Sequence, residues 1–164
     1  MKKISLLIAA TLLSFCCMGQ AQLAFPFQGG KDVMMNYFKN NLVVTPDIMR
    51  KRATGMVLFK FSADEKGKIS KMIVYYADDA ILAAPVIDVL KKSNHKWVIP
   101  DHETLHDYII PFSFNINNPN PDTLSIVKLY KGITNRKPIT TTNQVPLDMA
   151  TLLPAITVNY DILL

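Results

Sequence analysis

The residues whose types and spacing could do chemistry stand together in the string His102-Glu-Thr-Leu-His106. On a helix this H-E-x-x-H pattern presents two imidazoles on one face to hold zinc, with the glutamate as general base. That chemistry needs a helix long enough to fix both ligands, a third protein ligand and an open coordination position. Pro100 lies just upstream and Ile109-Ile-Pro111 just downstream, so a helix of two turns at most fits between them. In an extended segment the two histidines share a face and Glu103 turns to the other, away from any zinc-bound water. Asp107, Asp122 and His95 are the third-ligand candidates, and none stands at the spacing of the extended zinc motifs. The segment therefore reads as a polar loop entering a strand, with a zinc peptidase through His102, Glu103 and His106 kept as the alternative.

Other reactive constellations are weaker. The chain has no G-x-S-x-G elbow and no phosphate-binding glycine loop. Asp78-Asp79 precedes an apolar helical pattern, where adjacent acids act as N-terminal caps. The basic run Arg50-Lys51-Arg52 carries no interleaved aromatic residue, so it reads as a solvated face and not as a nucleic-acid site. No catalytic residue, metal ligand or cofactor site is assigned, and the expected class is non-catalytic.

The N-terminus points to a compartment. Lys2 and Lys3 precede an apolar run over residues 4–15, too short for a permanent membrane anchor and suited to a signal peptide. Gly19 and Ala21 fit the small-residue positions of a cleavage site between Ala21 and Gln22. Both cysteines, Cys16 and Cys17, fall inside this leader, so the mature chain is expected to hold no thiol or disulfide. Acylation at either cysteine would need a small residue just before it, and Phe15 and Cys16 stand there instead. Cleavage removes two of the 18 basic residues and none of the 13 acidic ones, so the formal charge falls from +5 to +3. The expectation is an exported protein of the periplasm or cell envelope, with no transmembrane helix in its mature part.

Around the reactive string, the elements that must position it follow from periodicity. Val33, Met34, Tyr37 and Phe38 stand at helical spacing within 31–41, and Thr45-Pro46 then forces a turn. Residues 56–63 alternate Val57, Phe59 and Phe61 against Lys60 and Ser62; Asp64-Glu-Lys-Gly67 turns the chain, and 68–76 returns as a second strand. Leu82, Val86, Val89 and Leu90 paint one side of a helix over 84–92, with Pro85 tolerated in its first turn. Residues 97–100 form a crossing, and 108–116 a third strand. Pro111 costs that strand a ladder hydrogen bond, which suits a sheet edge. After residue 116 a turn-rich link leads to 123–130, a further strand by composition, then to a polar, threonine-rich stretch and an apolar tail over 147–164.

The order helix, hairpin, helix, strand, with its punctuating residues, resembles the TonB C-terminal domain family of the Gram-negative envelope. Phe25-Pro-Phe-Gln-Gly-Gly30 resembles the family's Phe-Pro-Gly-Gly lead-in, and Thr45-Pro46 with Arg50 its Tyr-Pro-x-x-Ala-Arg motif. Gly55-Met-Val-Leu-Phe-Lys-Phe61 is similar to its first strand, Asp64-Glu-Lys-Gly-Lys-Ile69 to its turn, Trp97-Val-Ile-Pro100 to its Trp-x-x-Pro crossing, and Ile109-Ile-Pro-Phe-Ser-Phe114 to its closing strand. The resemblance covers 25–116. Thr45 replaces the motif tyrosine and Met49 its alanine, and the membrane helix and Pro-rich span of the energy-transducing members are absent from the mature chain.

The resemblance implies an α+β fold, with two helices packed on a small antiparallel sheet of about three strands. It divides the chain into a leader (1–21), a TonB C-terminal-like domain (22–116) and a C-terminal extension (117–164). It implies a protein-binding module that adds a partner peptide at a sheet edge, an outer-membrane receptor being the partner by analogy. The residues expected to meet the partner are Thr45, Pro46 and Arg50 on the Thr-Pro motif and Ile109, Pro111, Ser113 and Asn115 on the closing strand. A self-pairing homodimer of the same fold is the alternative.

Overall fold

The structure, a computed structural model, describes residues 25–117, 123–141 and 146–162. The expected leader, with the cleavage site expected after Ala21, and most of the Asn/Pro link after residue 117 lie outside the described residues.

Alternation of apolar and polar residues builds the centre. β1 (Gly55–Asp64) and β2 (Ile69–Ala77) form the expected antiparallel hairpin. β3 (Leu105–Ile116) lies antiparallel on the other side of β1, in unbroken register from Gly55↔Phe114 to Asp64↔Leu105. This register stacks Val57, Phe59, Phe61 and Ala63 beside Phe112, Ile110, Tyr108 and His106. All but His106 are at most 1% exposed. The hairpin turn is set by Gly67, whose φ is +70° and where an added Cβ would stand 2.5 Å from the Trp97 carbonyl oxygen.

Helices cover this face. α1 (Gly30–Asn41) buries Met34 and Phe38, one turn apart, and places Asp32 and Lys39 at the ends that suit its dipole. α2 (Pro46–Lys51) is a single short helix that buries Ile48. A 3₁₀ turn (Ala80–Leu82) leads into α3 (Ala83–Lys92), which buries Pro85, Val86, Val89 and Leu90. Asp79 caps the 3₁₀ turn as expected, accepting from Ile81 N–H. Asp78 does something else: it accepts from Met56 N–H at 2.6 Å and from the Tyr76 hydroxyl at 2.5 Å, joining β1 to the end of β2.

The α+β class holds, but the sheet is wider than three strands and is mixed. Beyond the hairpin and β3 come β4 (Ile139–Thr140), antiparallel to β2, and β5 (Thr151–Leu152) and β6 (Ile156–Tyr160), both parallel to β3. The order is β4-β2-β1-β3-β5, with β6 also on β3. Leu153, Ile156 and Tyr160 join the same buried cluster as the helices and the hairpin, so the composition break after residue 116 is not a break in the core. Residues 123–130, expected as a strand, belong instead to the helix α4 (Thr123–Thr134). Among the described residues no helix is long and apolar enough to cross a membrane.

Candidate protein-binding edge

Strand β3 carries four of the residues expected to meet a partner, and its surroundings correct the sequence reading in one respect. It is not an edge strand. β1 occupies one side, and the chain's own β5 and β6 occupy the other, with Tyr108↔Thr151, Ile109↔Leu152 and then Phe112↔Ile156 through Ile116↔Tyr160 in register.

The backbone shows why a proline is tolerated there. Leu153 N–H donates to the Ile109 carbonyl at 2.8 Å, and Asn117 N–H donates to the Tyr160 carbonyl at 2.9 Å. Because ladder groups alternate sides with a period of two, the odd-numbered residues of β3 turn their backbone groups toward β5 and β6. Pro111 is one of them, and its missing N–H falls at the gap between Leu152 and Ile156 where no outer strand pairs. A proline needs a break in the ladder on one side only, and two short strands supply it as well as open solvent would.

The side chains of the odd residues lie on the sheet face away from the helices. Ile109 is buried, Pro111 and Ser113 are half-buried, and Asn115 is exposed beside its register partner Asn159. Under this face lies a polar cluster. Lys60 pairs with Asp107 at 2.8 Å and donates to the Pro146 carbonyl, and Ser62 Oγ donates to Asp107 at 2.5 Å. Burial pushes the Asp107 carboxyl up, but the hydrogen bonds from Lys60 and Ser62 outweigh it and hold the pKa below the usual carboxylate range.

The Thr-Pro motif sits elsewhere. Thr45 is the N-cap of α2, accepting from Ile48 N–H at 3.4 Å, and Pro46 opens the helix. Both serve local structure. Arg50 is exposed and pairs with Asp47 one turn earlier, an arrangement that contributes little to stability. The lead-in and crossing motifs bind each other: Val98 N–H donates to Pro26 O and Gln28 N–H to Lys96 O, and the Phe27 ring meets Trp97 edge-on at 5.1 Å. Tyr108 stacks on Trp97 and donates its hydroxyl to Val98 O at 2.6 Å. These motifs thus form one aromatic anchor for the start of β3.

The reactive string is not helical. His102 has a φ of +71° in a turn, and β3 begins at Leu105, so the two imidazoles do not share a helix face. Among the described residues no three His, Cys, Asp or Glu side chains converge as a metal site. His106 is instead held between Glu103 Oε2, 2.6 Å from Nδ1, and Thr151 Oγ1, 2.7 Å from Nε2. With Nδ1–H donating to the carboxylate, Nε2 accepts from the hydroxyl. The order acid, imidazole, hydroxyl is that of a nucleophile relay. Its evident effect is to clasp β5 to the start of β3.

Comparisons with family models, curated proteins and solved structures gave no match. Sequence reasoning missed Thr151, Leu153, Ile156 and Tyr160. The alternation of buried Ile156, half-buried Val158 and buried Tyr160 was the signal that could have marked β6. Tyr160 locks that strand in place through its hydroxyl, which donates to Ala53 O at 2.6 Å, and burial pushes its pKa up to about 12.

Proposed function

We propose that this chain is a non-catalytic protein-binding module of the cell envelope, of the TonB C-terminal type, which takes an extended partner peptide along β3 by exchanging it for its own C-terminal strap. The observation that carries the reading is that the outer ladder of β3 accepts an extended segment in parallel over Phe112–Ile116 and is served there by a strand of five residues. A ladder filled by so short a piece, interrupted at Pro111, offers a partner the same backbone donors and acceptors by strand exchange. Partner class and compartment come from the resemblance and the leader.

The test is a lock. Asn115 and Asn159 are exposed register partners on one face, and neighbouring strands stand about 4.8 Å apart, within the range a disulfide spans. In the doubly substituted chain, Asn115→Cys with Asn159→Cys, oxidation should abolish binding to solubilised outer-membrane proteins and reduction should restore it. Equal binding in both redox states would remove the strap exchange from consideration.

A second reading, a homodimer, is favoured by one feature: among the described residues the outer side of β2 is paired by β4 only at Tyr76 and Ala77. Against it, that edge is bulged at two places and carries exposed Lys71, features that discourage edge pairing. Sedimentation over a range of concentrations separates the two: a dimer that persists on dilution supports self-pairing.

A further inference from the structure

Three residues from three separate places meet at the start of β3. Glu103 stands in the turn after Pro100, whose carbonyl accepts its N–H at 3.3 Å. His106 is the second residue of β3, and Thr151 opens β5. The two bonds to the His106 ring, 2.6 Å at Nδ1 and 2.7 Å at Nε2, are both of full hydrogen-bond length. A tie between strands needs only the second. The first adds direction: the Glu103 carboxylate claims the Nδ1 proton, which leaves the Nε2 lone pair facing the Thr151 hydroxyl. The ring is held in that pose, since it is 9% exposed and lies against Tyr108 with 4.8 Å between ring centroids.

The hydroxyl itself is at the rim of the sheet. Thr151 is half-buried, and β5 ends the strand order on this side. Leu153 N–H turns inward, donating to the Ile109 carbonyl, so by the two-residue alternation of a strand Leu152 N–H turns outward. Among the described residues no strand pairs with that outer side of β5. The residue after the hydroxyl therefore offers a backbone donor beside it, the position from which acyl-transfer sites meet the charge of a tetrahedral intermediate.

We propose that Thr151 is an acyl-accepting nucleophile, with His106 as its base and Glu103 as the positioning residue, and that it takes an acyl group from a carboxylic ester. Thr151 Oγ attacks the ester carbonyl carbon as its proton passes to His106 Nε2, and the carbonyl oxygen, now negative, receives Leu152 N–H. On collapse the bond to the alkoxy group breaks and Nε2 returns the proton to it. An alcohol departs and the acyl group stays on Thr151 as a new ester. This is a single transfer onto the chain, and it is independent of the exchange of the strap along β3.

The experiment is labelling of the purified chain with a fluorophosphonate, an electrophile that reports activated hydroxyls: Oγ displaces fluoride from phosphorus and its proton leaves through His106. Mass spectrometry of the digest locates the label. The parent should carry it on Thr151 and not on Thr157, an exposed threonine of the same strap. Thr151→Val should take no label at this position, and Thr151→Ser should regain it. His106→Asn should slow labelling about a hundredfold, the lower end of what a positioned base contributes. Glu103→Gln lets an amide donate to Nδ1 and turns the ring to its other tautomer, so it should slow labelling by a comparable factor. Because Glu103 is exposed, that variant should keep the parent's circular dichroism and nearly its melting midpoint, which separates a loss of reactivity from a loss of fold. The proposal is overturned if the folded parent takes no label on Thr151, if Thr157 is labelled as fast, or if Glu103→Gln and His106→Asn are labelled at the parent's rate.

Discussion

Exchange of the strap for a partner makes stability and binding move in opposite directions, and Ile156→Ala tests that. Ile156 is 1% exposed and lies in register with Phe112, which is fully buried. Removing a buried isoleucine side chain down to alanine costs about 2–5 kcal/mol through lost transfer energy and the cavity left behind. A value of about 3 kcal/mol corresponds to a fall of about 6–12 °C in the melting midpoint for a chain of this size. The same loss weakens the strap against β3, so the open fraction of the edge rises about a hundredfold, at 1.4 kcal/mol for each factor of ten. A labelled peptide carrying residues 154–162 with Ile156 intact is the ligand to follow by fluorescence anisotropy. The parent chain should bind it weakly, because its own strap competes at a high effective concentration. The Ile156→Ala chain should bind it up to about a hundredfold more tightly despite melting earlier. Thr157→Ala, at an exposed neighbour on the same strand, should change neither quantity much. If affinity for the peptide is unchanged or falls along with the melting midpoint, β6 is a permanent member of the sheet and the exchange mechanism is wrong.

Gly67→Ala should destabilise the fold by more than about 1–2 kcal/mol, the cost of the left-handed conformation alone. The Trp97 carbonyl stands 2.5 Å from the new Cβ; a loss below about 0.5 kcal/mol in urea unfolding would mean that the turn does not seat on the Trp97 crossing. Acid should unfold the chain through its carboxylates. Asp107 is first raised by burial and then more strongly lowered by Lys60 and Ser62, and Asp78 is raised by burial and more strongly lowered by Tyr76 and Met56 N–H, so both fall below their ordinary value. A depressed pKa stabilises the folded state fully above the unfolded value near 4 and loses that contribution as pH falls through the lower, folded value. Melting midpoints recorded between about pH 5 and about pH 2 should therefore drop steeply in the parent. Asp107→Asn should melt lower at neutral pH and drop less steeply, whereas parallel curves would show that the Lys60 pair contributes nothing.

What was legible in the sequence was local. The hairpin follows from strict alternation around Val57, Phe59 and Phe61 and from one glycine turn, all within a few residues of each other. The α1 and α3 helices follow from four-residue spacing and sensible ends. The misreading of 123–130 has an equally local cause. Thr123, Ile126, Val127 and Tyr130 are strand-favouring types, and a window closed at Tyr130 leaves out Ile133, which completes the helical row from Ile126. Composition spoke for a strand, and the longer period decided for a helix.

Pro111 shows why the edge was harder to read. From the sequence, a proline in a strand requires one unpaired side, and open solvent is the simplest way to provide it. The chain provides it differently, by pairing β3 with two short strands whose gap falls at the proline, and those strands begin 40 and 45 residues away, at Thr151 and Ile156. Nothing near Pro111 can encode that gap, because it depends on where a distant segment stops and resumes. The polar cluster is of the same kind: Ser62 and Asp107 meet across 45 residues and Lys60 reaches Pro146 across 86, so neither pairing could be read from local spacing. The site itself is therefore a product of return contacts. That origin also makes exchange physically reasonable, since a strand that arrives late in the chain and pairs over only Phe112–Ile116 is held by return contacts and not by local structure.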